Sequence, residues 1–127
     1  MEPDPSYNGP LRPGGFIRVE FGQNDFFEII LSRVYRLERS IASAGVHIHA
    51  GTSCDSAGGH YFNNAVVNNQ WGRSNYNTFG NGKPKRSIFM FNGYTIDENV
   101  GHAIVIHSVN GPKIACGILQ YAEDVDV

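Results

Sequence analysis

Four of the five histidines in this chain fall into a pattern that could hold a metal ion: Val46-His47-Ile48-His49, then Gly59-His60, and far downstream His107. A neutral imidazole offers a nitrogen lone pair and is a favoured ligand for copper and zinc. On a strand, side chains two positions apart project from the same face, so His47 and His49 can grip one ion together. A lone histidine would mean little. Imidazoles drawn from three separate segments suit tetragonal copper(II) or a distorted four-coordinate ion. Both cysteines lie beside the pattern, Cys54 just before His60 and Cys116 just after His107.

Such rings need a frame to bring them together. A length of 127 residues fits one domain with a single core, and 15 glycines among many short asparagine clusters imply many turns between short strands. The class is all-β. Residues 1–15, with four of the six prolines by Pro13, read as an extended leader, and residues 16–127 as the domain. From Phe16 to Phe21 apolar and polar side chains alternate, which is the period of a half-buried strand. Phe26 to Leu37 mixes helical spacing with β-branched and aromatic enrichment and is read as strand. Ser40 to Gly45 reads as a loop delivering Val46 to Ala50 as the ligand strand. The polar stretch from His60 to Lys85, anchored by Trp71, Tyr76 and Phe79, reads as a long connection folded over the site. Ser87 to Phe91 reads as a strand. Val100 to Ser108 reads as another, with Ala103, Val105 and His107 on one face and His102 on the other.

Composition also excludes classes of function. The formal net charge is −2 and the densest basic cluster is Lys83-Pro84-Lys85-Arg86, so no electrostatic footprint for nucleic acid or an anionic membrane is present. No apolar run approaches the roughly 18 residues of a membrane-spanning helix, so no membrane insertion is expected. Met1 to Pro5 lacks the basic start and apolar middle of a secretory signal, which would fit a mature or excised piece of a longer secreted protein. Two cysteines permit one intrachain bridge, worth roughly 4 kcal/mol for so long a loop and placing the domain in an oxidising compartment. Two reduced core thiols are the alternative.

Four blocks, in order, resemble the copper/zinc superoxide dismutase family: Val46-His47-Ile48-His49, Cys54-Asp55-Ser56-Ala57-Gly58-Gly59-His60, Gly101-His102-Ala103-Ile104-Val105-Ile106-His107, and Lys113-Ile114-Ala115-Cys116-Gly117. The similarity runs from about Phe16 to Leu119 and is sharp around the first two and the last two blocks. It implies an immunoglobulin-like Greek-key β-sandwich or barrel of about eight strands. It also implies one copper ion held by His47, His49, His60 and His107, and a Cys54–Cys116 disulfide. The implied substrate is superoxide, converted to dioxygen and hydrogen peroxide, with His60 and Lys113 as the residues closest to the chemistry.

The chain departs from the family in three places. The residue matching His60 normally bridges copper to a zinc ion completed by two further histidines and an aspartate. Here no histidine follows His60 until His102, and the intervening asparagines are poor zinc ligands, so no zinc is expected. Ser108 to Pro112 is also too short for the family's charged channel loop. Both departures resemble the copper-only branch, whose members are secreted and occur in part as repeated domains, which makes neighbouring repeat domains candidate partners. Third, Lys113 stands where the family has an arginine that orients superoxide; lysine keeps the charge without the planar fork of donors. Without zinc, the second nitrogen of His60 needs another partner, and Asp97 or Glu98 could supply a carboxylate. Two other classes are a copper-binding or structural module without turnover, suggested by Lys113, and a three-histidine zinc hydrolase, disfavoured because no helical His-Glu motif exists.

Overall fold

Alternating apolar side chains make the strands and decide which way the histidines point. The computed structural model describes residues 1–38, 40–79, 82–84, 87–109 and 111–122. Its strands are β1 (Glu2–Pro3), β2 (Gly14–Gly15), β3 (Arg18–Phe21), β4 (Phe27–Ile30), β5 (Val34–Tyr35), β6 (Ser40–Ile48), β7 (Asn75–Phe79), β8 (Ser87–Met90), β9 (Ala103–His107) and β10 (Lys113–Ile118), with a short α-helix, α1 (Ile96–Asn99), before β9 and single 3-10 turns at Gln23–Asp25 and Trp71–Arg73. A five-stranded antiparallel sheet runs β1-β10-β9-β6-β7, a three-stranded sheet runs β3-β4-β8, and β2 pairs with β5. The chain is thus all-β and sandwich-like, and among the described residues no sheet closes into a barrel. No described helix is long and apolar enough to cross a membrane.

One core fills the space between the larger sheets. Phe27, Ile29, Ile88 and Met90 from the small sheet meet Val46, Ile48, Tyr76, Ile104, Ile106 and Ile114 from the large one, with Trp71 and Leu31 among them. Because side chains alternate across a strand, burying Val46 and Ile48 turns His47 to the opposite face, and burying Ile104 and Ile106 does the same for Val105 and His107. That outer face carries a second cluster of Ala57, Ala103, Val105 and Cys116, with Cys54 against it.

Several expectations change. Residues 1–15 are stitched into the domain: Glu2–Pro3 pairs with Cys116–Ala115, Asp4 is buried, and Tyr7 and Leu11 pack on the core. Proline is tolerated there because β1 is an edge strand that needs no donor on its outer side. The stretch from Phe26 to Leu37 holds two strands separated by a turn. Ser40 to Gly45 is strand rather than loop, since it pairs with β7, itself hidden in the polar stretch after His60. Small residues without alternation gave β6 the look of a loop. Of the basic cluster, Lys83 is exposed, while Lys85 and Arg86 lie outside the described residues.

Candidate metal centre

Each histidine is placed by a different local device. His47 pairs in register with Val105, and its ring lies back over Gly45, where any Cβ would collide with it. After β6 the chain doubles back through a tight loop: Gly51 N–H donates to Ala57 O at 2.6 Å and Ala50 N–H to Gly59 O at 2.7 Å. A side chain at Gly51 would strike the Ser56 and Ala57 carbonyls, so glycine is required for this approach. The loop returns His60 to a bridge with His49, and Tyr61 N–H donates to Ile48 O at 2.9 Å. The Cys54–Cys116 disulfide, Cα atoms 5.9 Å apart, ties that loop to β10. His107 ends β9, directly opposite Lys113, and its carbonyl accepts the buried Tyr76 hydroxyl at 2.7 Å.

The four rings converge. His47 lies 4.4 Å from His60, 4.8 Å from His107 and 6.0 Å from His49, measured between ring centroids. His49 lies 5.4 Å from His60 and 5.6 Å from His107. One ligand atom from each of His47, His49 and His60 falls within 4.8 Å of the others, a group that could hold a metal ion.

Hydrogen bonds fix which nitrogens are left over. His49 Nδ1–H donates to Gly58 O at 2.7 Å and His107 Nδ1–H to Gly111 O at 2.8 Å. A carbonyl can only accept, so both neutral rings present bare Nε2 lone pairs inward, as metal-ligating histidines do. Those two Nε2 atoms stand 3.4 Å apart. Two acceptors facing each other repel unless a cation or proton is shared between them. Two nitrogens on one tetrahedral ion, each about 2.0–2.1 Å from it, would be about 3.3 Å apart. The Nδ1 of His47 is buried with no partner, an arrangement that is costly unless something binds there.

The electrostatics keep these rings neutral. Burial, then the neighbouring His60, His107 and His49, push the His47 pKa down to about 3 against a small opposing effect of the Trp71 backbone. His49 and His107 are also lowered, chiefly by burial; their carbonyl partners oppose the shift, and nearby histidines and Lys113 add to it. A neutral imidazole is the form that binds metal.

The four histidines named from the sequence lie together, and the support expected for His60 from a carboxylate is absent. Asp97 and Glu98 do not reach it. Glu98 closes a capping box with Thr95 at the start of α1, receiving Thr95 N–H at 2.9 Å, and Asp97 accepts the Tyr121 hydroxyl. The partner of His60 Nδ1 is Asn69 Nδ2 at 3.2 Å. Asn69 Oδ1 is committed to Trp71 N–H at 3.0 Å, so the amide presents its N–H to the ring. Trp71 itself is fully buried, 6.0 Å from His47. The asparagines after His60 signalled this contact only as hydrogen-bond donors, a role hidden while they were weighed as zinc ligands. His102 turns away, donating to Ala50 O at 2.8 Å and stacking on Tyr61.

Comparison with known proteins matches this chain to no family model and to no curated protein.

Proposed function

We propose that this domain holds one copper ion through His47, His49, His60 and His107, without a zinc site, and dismutes superoxide in an extracellular setting. The observation that carries the reading is the set of inward nitrogens with nothing to bond: the Nε2 pair of His49 and His107 at 3.4 Å and the unpartnered Nδ1 of His47. Imidazoles suit copper, and three segments supply them from one side of a sheet. Copper held by these rings would supply one-electron chemistry, by which two superoxide ions and two protons give dioxygen and hydrogen peroxide.

The chain's own residues define the rest. His47, His60 and His107 keep part of their surface exposed, which leaves the centre open to a small anion. Lys113, opposite His107 in register, supplies positive charge that attracts it. Asn69 meets the second nitrogen of His60 where a zinc ion would bind, which supports the zinc-free reading; because Nδ1 accepts the amide N–H, copper at Nε2 displaces the ring proton held there. The disulfide fits an oxidising compartment and hence secretion, with superoxide as substrate and neighbouring repeat domains as partners.

A second reading, a copper-holding module without turnover, is favoured by Lys113 alone, since a single ammonium orients a diatomic anion less firmly than a guanidinium. Metal analysis and superoxide consumption by the copper-loaded chain separate the two. We expect one copper per chain and copper-dependent dismutation that His107→Ala abolishes. Tight copper without turnover would select the module, and failure to bind copper would end both readings.

A further inference from the structure

The two ends of the hairpin formed by β3 and β4 carry opposite chemistry, and the metal centre uses neither. Where β3 turns into β4, Phe26 is 54% exposed and Phe89 76% exposed, and both line one groove with Glu20 and Glu28. Phe26 stacks on Phe91, ring centroids 4.7 Å apart. Single apolar side chains on a surface mean little, but phenylalanines gathered in one place and rimmed by charge mark an interaction site. The charge here is negative. Register sets Glu20 opposite Glu28 and Glu28 opposite Phe89, so one row across the sheet holds two facing carboxylates and an exposed ring. Like charges directly opposite each other destabilise a sheet. Arg18 offsets Glu20 at 2.7 Å, whereas Glu28 has no basic partner among the described residues.

The far end of the same hairpin is the complement. Before β3 begins and after β4 ends, Phe16, Arg33, Tyr35 and Lys83 line a groove of about 660 Å³, roomy enough for a phenyl ring. Phe16 is 55% exposed, and Arg36 holds its guanidinium 5.1 Å from the centre of the Tyr35 ring. Among the described residues no carboxylate lines this groove or pairs with Arg33 or Arg36. A ridge of phenylalanines beside an uncompensated carboxylate thus stands at one end, and an aromatic groove beside uncompensated guanidinium groups at the other. Complementary charge of this kind steers association and sets its register.

We propose that these two ends bind each other between copies of this chain, the Phe89 ridge of one copy seated in the Arg33 groove of the next, with Glu28 facing Arg33. The two surfaces differ, so the contact is heterologous: a pair of copies keeps one free end of each kind, and the association grows head to tail or closes into a ring. Both ends belong to the small sheet and to the pair formed by β2 and β5, not to the sheet that carries the histidines. No step involves the metal, so the proposal stands or falls separately from the copper reading.

Sedimentation velocity of the full chain over a range of concentrations tests this. The expected result is self-association that strengthens with concentration and whose Kd rises about tenfold from low to high salt, because the charge pairs are screened. Glu28→Arg and Arg33→Glu should each abolish self-association, and mixing the two variants should restore it, since opposite charges then meet at every contact. Phe89→Ala should weaken association about tenfold at every salt concentration, as loss of an aromatic anchor does. If a charge reversal does not fold, Phe89→Ala and Phe16→Ala, one at each end, must each weaken association; a contact of one surface with its own copy would respond at one end only. A chain that stays monomeric up to about 1 mM, association that ignores either end, or reversed variants that remain apart when mixed would overturn the proposal.

Discussion

On one face of the five-stranded sheet Val46, Ile48, Ile104, Ile106 and Ile114 are each at most 3% exposed and pack against β4 and β8. On the other face the same strands, β6, β9 and β10, carry His47, His107 and Cys116. The first face is held by volume: any apolar side chain of the right size fills it, and its energetics are those of buried area. The second is held by individual atoms, a carbonyl for each of two imidazoles, an amide for a third and a covalent bond beneath them. A strand obliged to serve both faces explains why Val-His-Ile-His reads as strict alternation, with each kind of residue placed by what the opposite face requires.

The largest effect should come where the outer face is joined to its loop. Replacing both Cys54 and Cys116 by serine should lower the unfolding free energy by roughly 4 kcal/mol, read as a lower denaturant midpoint. It should also weaken metal binding, because the loop that the bridge holds is the one that returns His60 to His49. On the core face, Ile48→Ala should cost about 3 kcal/mol by opening a cavity, while the folded fraction keeps its full metal content. If Ile48→Ala removed the metal as thoroughly as a ligand substitution does, the two faces would not be separable in the way described.

Acid distinguishes them next. The folded chain holds His47 near a pKa of 3 against an ordinary 6.5, so below about pH 6.5 the unfolded chain takes up a proton that the folded one refuses. Stability from this group is complete above the unfolded value and is lost as pH falls toward the folded one; His49 and His107 act in the same direction. Urea midpoints of the metal-free protein should therefore fall steadily from pH 7.5 to 4.5. His47→Leu should flatten that fall, raise the metal-free stability at pH 7 by about 1 kcal/mol because an unpartnered buried nitrogen is gone, and abolish metal binding. A metal-free midpoint indifferent to pH would contradict the neutral, buried state of these rings.

What could be read from the chain alone follows the same division. The alternation of His47 and His49 with Val46 and Ile48, and the apolar run ending in His107, carried the ligand face, because a period of two leaves no freedom once one face is buried. The strand character of Ser40 to Gly45 was illegible: it depends on pairing with β7, and Gly45 is glycine because the ring of His47 occupies its Cβ space. The N-terminal segment misled for a related reason. Prolines and Asn8-Gly9 describe a chain without internal pairing, but Glu2–Pro3 finds its partner more than a hundred residues later, on β10. Local signals report what a segment does with its neighbours in sequence; contacts such as Asp4 with Ile114 or Asn69 with His60 exist only after the sheet has closed.

Asn69 gives the smallest and most selective of these tests. Its amide sits between two demands, accepting Trp71 N–H through Oδ1 and donating to His60 Nδ1 through Nδ2, so it couples the ligand ring to the buried indole that also flanks His47. An N–H donated to Nδ1 leaves the proton of the neutral ring on Nε2, which must give it up before that nitrogen can hold a metal, so Asn69→Ala, which frees the ring to change tautomer, should raise metal affinity slightly. Asn69→Asp keeps an acceptor for Trp71 and replaces the donor to His60 by a carboxylate that accepts the Nδ1 proton and leaves Nε2 bare, so it should raise metal affinity further, by about tenfold. Competition titration of both variants reads the difference. Because neither touches the core face, their metal-free unfolding midpoints should stay within about 0.5 kcal/mol of the parent, as surface substitutions do. A large loss of stability with unchanged affinity would place Asn69 among the residues that hold the fold, and would leave His60 without a defined partner for its second nitrogen.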